Sequence, residues 1–193
     1  MRKQLQVIKT DGTTEEYIHT KVIGTINNAL SAAGRPDMMM AEDLAEVVTY
    51  YLYRKQEQRE VSSSEILSMI KAVLVSTGFE AAAAALGEHA IGRRLSRART
   101  EILAVEVQDF ADVERLYRTR QAPERIPWDK SRIIDELAEE SGLSRQTARV
   151  VAAMVEERIF SMGMTLVPQS LLRQLILGET ATVLRAQRDL QTA

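Results

Sequence analysis

The residues best suited to chemistry gather at the start of the chain, where Lys9, Glu15 and Lys21 are set around the pair Asp11-Gly12. Two ammonium groups and a carboxylate on one small surface make a receptor for a polyanion. A triphosphate needs cations and exposed backbone N–H groups, and Arg93 or Arg94 can add the first while a helix starting near Ser63-Ser64 adds the second. A lone lysine on a hairpin is ordinarily a solvated charge, so the signal lies in the joint spacing. Catalytic patterns are missing: there is no G-x-S-x-G elbow, no Walker-type glycine loop and no acidic pair suited to holding Mg²⁺ for chemistry. His19 and His89 are isolated, which argues against metal or acid–base roles for them.

These residues need a hairpin and a helix to position them. Leu5, Val7 and Lys9 alternate with Gln6, Ile8 and Thr10 in the period of a half-buried strand, and Asp11-Gly12 supplies a tight turn. The chain returns through residues 13–17. Helical spacing then begins, with Val22, Ile23, Ile26, Ala29 and Leu30 on one stripe and Thr20 as its N-cap. Helices are predicted over residues 20–33, 41–58, 64–76 and 80–99. The segment Gly34-Arg35-Pro36-Asp37 breaks the first two, and Val61-Ser62-Ser63-Ser64 with Glu65 offers N-cap chemistry to the third. Gly78 closes that third helix. The alanines at 81–85 suit a closely packed helix, Met38-Met39-Met40 a greasy helix start on the core, and Tyr17 and Trp128 serve as packing anchors. The run from Arg93 to Arg99 reads as a basic helix end, partly solvated and partly available to phosphate or a partner.

The residues Val7, Lys9, Asp11, Gly12, Glu15, Tyr17 and Lys21-Val22, followed by VSSSEILSMIKAVLVSTGFEAAAAALGEHAIGRR, resemble the ATP-cone. That family is the small regulatory nucleotide-binding module of ribonucleotide reductases and of the NrdR-type repressors of their genes. The resemblance implies binding of ATP or dATP as an effector, with or without Mg²⁺, at a site drawn from Val7, Lys9, Thr10, Glu15, Lys21, Val22, Ser63, Arg93 and Arg94. Within it Lys9 and Lys21 would hold phosphates, Glu15 the base or sugar side, and Ser63 would add a hydroxyl. Two positions depart from the family pattern, Thr10 where a second basic residue is usual and Leu67 where a polar one is, and either change is expected to reduce phosphate affinity or to alter how many nucleotides are bound. The four-cysteine zinc ribbon of the repressors is also missing, since the chain has no cysteine.

Composition bounds the rest. With 193 residues and 45% hydrophobic content the chain can bury one good core or two small ones. A formal net charge of −2 gives no overall drive toward nucleic acid or anionic membrane. No apolar run reaches spanning length, and the start lacks the apolar core of a signal peptide, so a cytoplasmic protein is expected. The expected fold is mainly α: a β-hairpin capping a small helical bundle over residues 1–100, a linker over 101–127, and a second helical domain over 128–193. In the linker, ILAVEVQ reads as a short strand, residues 112–120 as a short helix, and RTRQAPERIPW as a basic connection.

The second half echoes the first. WDKSRIIDEL follows YIHTKVIGTI, TARVVAAMVEERI follows LAEVVTYYLYRKQ, and VPQSLLRQLI follows VSSSEILSMI, which suggests a degenerate repeat without the hairpin and without the nucleotide site. Packing, dimerisation or docking is its expected work. The functional expectation is a non-catalytic, adenine-nucleotide-binding regulator. It would form a homo-oligomer or act on a ribonucleotide reductase subunit through nucleotide-dependent association. One alternative is a DNA-binding regulator, because residues 136–155 carry Ala138, Gly142, Leu143 and Val151 at helix-turn-helix positions and Arg145, Gln146 and Arg149 at the start of a recognition helix. Against it stand Asp135, Glu136, Glu139, Glu140, Glu156 and Glu157, whose charge opposes a phosphate backbone. Another alternative is a cone scaffold that has lost its nucleotide and serves as an interaction module.

Overall fold

The computed structural model describes residues 4–10, 12–54, 60–104 and 124–192. The helix predicted at 112–120 lies outside them. The chain divides into two compact units, Met1–Gly92 and Arg93–Ala193. The mainly helical expectation holds.

In the first unit, β1 (Gln6–Ile8) and β2 (Thr14–Glu16) form the predicted hairpin. The Lys9 amide donates to the Thr13 carbonyl at 2.8 Å, and Gly12 takes φ +80° and donates to the Lys9 carbonyl. A Cβ at Gly12 would meet nothing within 4 Å, so backbone strain alone decides its replacement. Gly12→Val is expected to cost about 1–2 kcal/mol, read as a lower denaturation midpoint. Then come α1 (His19–Ala32) and α2 (Met38–Arg54), after which β3 (Glu60–Ser62) adds to β1 in parallel and leads into α3 (Ser63–Ser76) and α4 (Glu80–Arg99). The core joins Leu5, Val7 and Tyr17 of the hairpin to Val22, Ile26 and Leu30, with Leu44, Val48, Leu74 and Ala82.

Local chemistry sets the helix ends. Ser62 caps α3 with a full capping box: its Oγ accepts from the Glu65 amide at 3.1 Å, and Glu65 Oε2 accepts from the Ser62 amide at 2.9 Å. Ser62→Ala is expected to lower stability by about 1 kcal/mol, measured by thermal denaturation. Gly78, at φ +81°, donates to Val75 while Phe79 donates to Leu74, the paired bonds that stop a helix at a glycine. Thr20 is not the N-cap of α1. The helix opens at His19 behind Ile18, with no side-chain cap, because the Tyr17 amide is tied to the Leu5 carbonyl and the chain turns at once. Met38 and Met39 do open α2, but only Met40 packs against the core.

The second unit holds the remaining elements. β4 (Glu101–Leu103) and β5 (Arg125–Pro127) pair antiparallel, α5 (Lys130–Glu140) and α6 (Arg145–Ser161) follow, and β6 (Leu166–Pro168) joins β4 in parallel before α7 (Gln169–Thr192). The strand orders β2-β1-β3 and β5-β4-β6 therefore describe one topology twice. This corrects two sequence readings: the second half does have the two paired strands of a hairpin, and both ends of the segment read as a linker belong to its sheet. Two hydrogen bonds correspond as well, the Ala104 amide to Glu124 matching Lys9 to Thr13, and the Trp128 amide to Thr100 matching Tyr17 to Leu5. The chain between Ala104 and Glu124 is much longer than the stretch between Lys9 and Thr13 to which it corresponds. A connection that long carries no turn signature between its strands, and each strand is only three residues long. Its core joins Ile102, Trp128, Ile133 and Leu137 to Val151, Val155, Ile159 and Val167.

Candidate functional site

Strand geometry builds the first charged centre. Val7 and Lys9 share a face of the hairpin, and Glu15 stands directly opposite Val7, so Lys9 and Glu15 are diagonal neighbours. Val7 goes into the core and takes Glu15 partly under with it. Lys9 Nζ lies 2.6 Å from Glu15 Oε1, and Lys21 Nζ, from the first turn of α1, lies 3.2 Å from Oε2. Burial works against ionisation of Glu15. The hydrogen bonds and charges of Lys9 and then Lys21 outweigh it and hold the carboxyl below its ordinary value. One carboxylate thus holds two half-exposed ammonium groups side by side.

The parallel pairing of β1 with β3 sets Ile8 beside Ser62, so α3 begins next to the strand that carries Lys9. The positive end of the α3 dipole and Ser63 therefore flank the cations, with Glu65 partly offsetting that end as it caps. One helical turn below Lys21 and Ser63 come Thr25 and Leu67. These two line a cavity of about 290 Å³ with Asn28, Leu86 and His89, between α1, α3 and α4. That volume is at the small end for ligand cavities. The Thr25 hydroxyl is already given to the Lys21 carbonyl at 2.8 Å, which leaves Asn28 and His89 as its polar walls. Leu67 makes that wall apolar, where the family pattern has a polar group.

Of the residues singled out in the sequence, Val7, Lys9, Glu15 and Lys21 come together, and Ser63 joins them through β3. Val22 is buried in the core one residue along, and Thr10 is exposed in the turn. Arg93 belongs to the second unit, where Glu156 and Glu157 bind its guanidinium, and Arg94 is exposed on α4. Tyr17 is the packing anchor expected, its hydroxyl 2.7 Å from Thr49 Oγ1 and its ring edge-on to Tyr53. Burial raises its phenol above the ordinary value despite the Thr49 bond. His19 Nδ1 meets the same Thr49 oxygen at 2.9 Å.

A second charged centre escaped the sequence reading altogether. Glu156, 0% exposed, is bound by Arg93 at 2.8 Å, by Arg97 Nε at 2.7 Å, by Trp128 Nε1 at 3.2 Å and by Lys130 at 3.4 Å. Burial pushes its carboxyl up, but the Arg97 hydrogen bond and the surrounding cations win, and it stays below the ordinary range. Lys130 is lowered as well, by burial first, with Glu156 only partly restoring it. The available signal was periodicity. Glu156 falls between Ala152, Val155 and Ile159 on the buried stripe of α6, where a surface acid does not belong. Of the acids set against DNA binding, Glu156 is therefore buried. The helix-turn-helix pattern is a real helix pair, joined through Gly142 at φ +60°, but Arg145 is ion-paired with Asp135 at 2.7 Å and α6 supplies much of the core of the unit.

Among the described residues, no three His, Cys, Asp or Glu side chains gather as a metal site, and no helix is long and apolar enough to cross a membrane. A hairpin and the first turn of α1 thus bring two lysines to one carboxylate, beside a helix N-terminus and above a small cavity. Residues 5–87 match the family model of the ATP cone domain. The first unit therefore carries an ATP cone, a nucleotide-binding regulatory module. Comparison with curated proteins found no match.

Proposed function

We propose that the first unit binds ATP or dATP as an effector, and that its occupancy controls association of the chain with itself or with a partner. The observation that carries this reading is the convergence of Lys9 and Lys21 on Glu15 beside the N-terminus of α3, within the segment matched by the ATP cone domain. In this reading the phosphates take the two ammonium groups, helped by the first turn of α3 and Ser63. The base enters the cavity between α1, α3 and α4 against Asn28 and His89. Glu15 then acts as a placeholder that holds the lysines in position and yields part of their charge to the incoming phosphate. Control of a ribonucleotide reductase, directly or through its expression, is the regulatory setting we assign, and the nucleotide is read rather than hydrolysed.

The second unit is proposed to be a cone-like copy without the site. By strand register Ala104 replaces Lys9 and Ile126 replaces Glu15, leaving Arg132 alone in the place of Lys21. Titration calorimetry with ATP and dATP, with light scattering on the same samples, tests the whole reading. Nucleotide binding that alters the mass of the particle is the expected result. Binding without any mass change would leave a sensor acting on another chain, and no binding of either nucleotide would overturn the site.

A further inference from the structure

We propose that α2 is the surface on which two copies of this chain associate, the two helices lying antiparallel about a two-fold axis. One face of α2 is spent inside the first unit: Ala41, Leu44, Ala45, Val48 and Leu52 are buried. Its opposite face is nevertheless apolar at the centre, with Val47 40%, Tyr50 59% and Tyr51 47% exposed. A solvated helix face is normally polar. Asp43, Val47, Tyr50 and Arg54 recur at spacings of four, three and four residues, the seam by which two helices pack at a shallow angle.

The charges select the occupant and its direction. Acidic residues fill the first half of the outer face, Glu42, Asp43 and Glu46, while Arg54 stands in the last turn. An antiparallel copy with its axis between Val47 and Tyr50 sets Asp43 against Arg54 of the partner subunit, and Val47 against Tyr50 of the partner subunit. The helix dipoles then oppose favourably as well. A parallel copy would set acid on acid and Arg54 on its own equivalent, which is repulsive. The surface is also ordered before it docks, because Tyr50 and Tyr51 meet edge to face at 5.7 Å and Arg54 lies over the Tyr50 ring at 5.9 Å. Little side-chain freedom is left to lose on association. This inference stands apart from nucleotide binding, and calorimetry with ATP on the same samples separates the failure of one from the failure of the other.

Sedimentation velocity of the full chain over a wide concentration range tests it, with circular dichroism to confirm that each variant is folded. The wild type is expected at twice the chain mass. Val47→Glu, and separately Asp43→Arg or Arg54→Asp, should weaken self-association at least about tenfold, and the double variant Asp43→Arg/Arg54→Asp should restore it. A wild type that remains at the mass of one chain overturns the proposal, and so does a dimer that Val47→Glu leaves intact. A double variant no better than its parents overturns the antiparallel seam and the proposal with it.

Discussion

Lys9→Ala and Lys21→Ala are each expected to weaken ATP binding by roughly tenfold to a hundredfold, with the fold unchanged. A charge-assisted hydrogen bond contributes about 1.5–3 kcal/mol, and each lysine offers its ammonium to the same anion. Lys9 is the more sensitive position, because it makes the shorter contact with Glu15 and stands beside the start of α3. The loss should also flatten the salt dependence of binding, since fewer charges take part. Calorimetry of the two variants beside the wild type checks this, and Arg94→Ala serves as a control expected to bind normally. Equal affinity in wild type and both lysine variants would place the site elsewhere.

Glu156→Gln is expected to destabilise the second unit by about 3 kcal/mol, because removing one member of a buried ion cluster leaves its partners without compensation. Trp128, the one tryptophan of the chain, touches this carboxylate, so its fluorescence reports the event where it happens. The substitution should also change the acid limb of the stability profile. A carboxyl held below its ordinary value of 4.5 in the folded state contributes stability that is complete above that value. It is lost as pH falls through the folded one. The wild type should therefore lose stability steeply in acid, and the Gln variant less so. Lys130, lowered in the folded state, costs stability at low pH that is recovered as pH rises from its folded value toward 10.5. An acid profile identical in wild type and variant would show that Glu156 does not carry this term.

What the sequence disclosed depended on how local the deciding interaction was. The first hairpin, the capping box at Ser62 and Glu65, and the stop at Gly78 are each written within a few adjacent residues, and all were legible. Lys9, Glu15 and Lys21 were legible for the same reason, being twelve positions apart at most along a hairpin and one helical turn. The second hairpin was hidden because its strands, each three residues long, are divided by residues 104–124 with no turn pair to mark them. The bond from Arg93 to Glu156 was hidden because the two are 63 residues apart, and a run of arginines at a helix end looks solvated from the sequence alone. Thr20 lost its capping role to a tertiary event, the anchoring of Tyr17. The cavity walls Asn28 and His89 lie on separate helices, and nothing local brings them together.

The parallel joining of β1 to β3 has a consequence for the order in which the first unit assembles. The hairpin with its two lysines closes over a short stretch of chain and can form early. Ser63 arrives beside it only after the chain has travelled through α1 and α2, a closure of more than fifty residues that is slow by comparison. A ligand that grips both lysines and the start of α3 recognises only the finished unit, and by mass action it adds its binding energy to folding. A fragment ending after α2 would keep every charge of the hairpin and still have nothing to close upon.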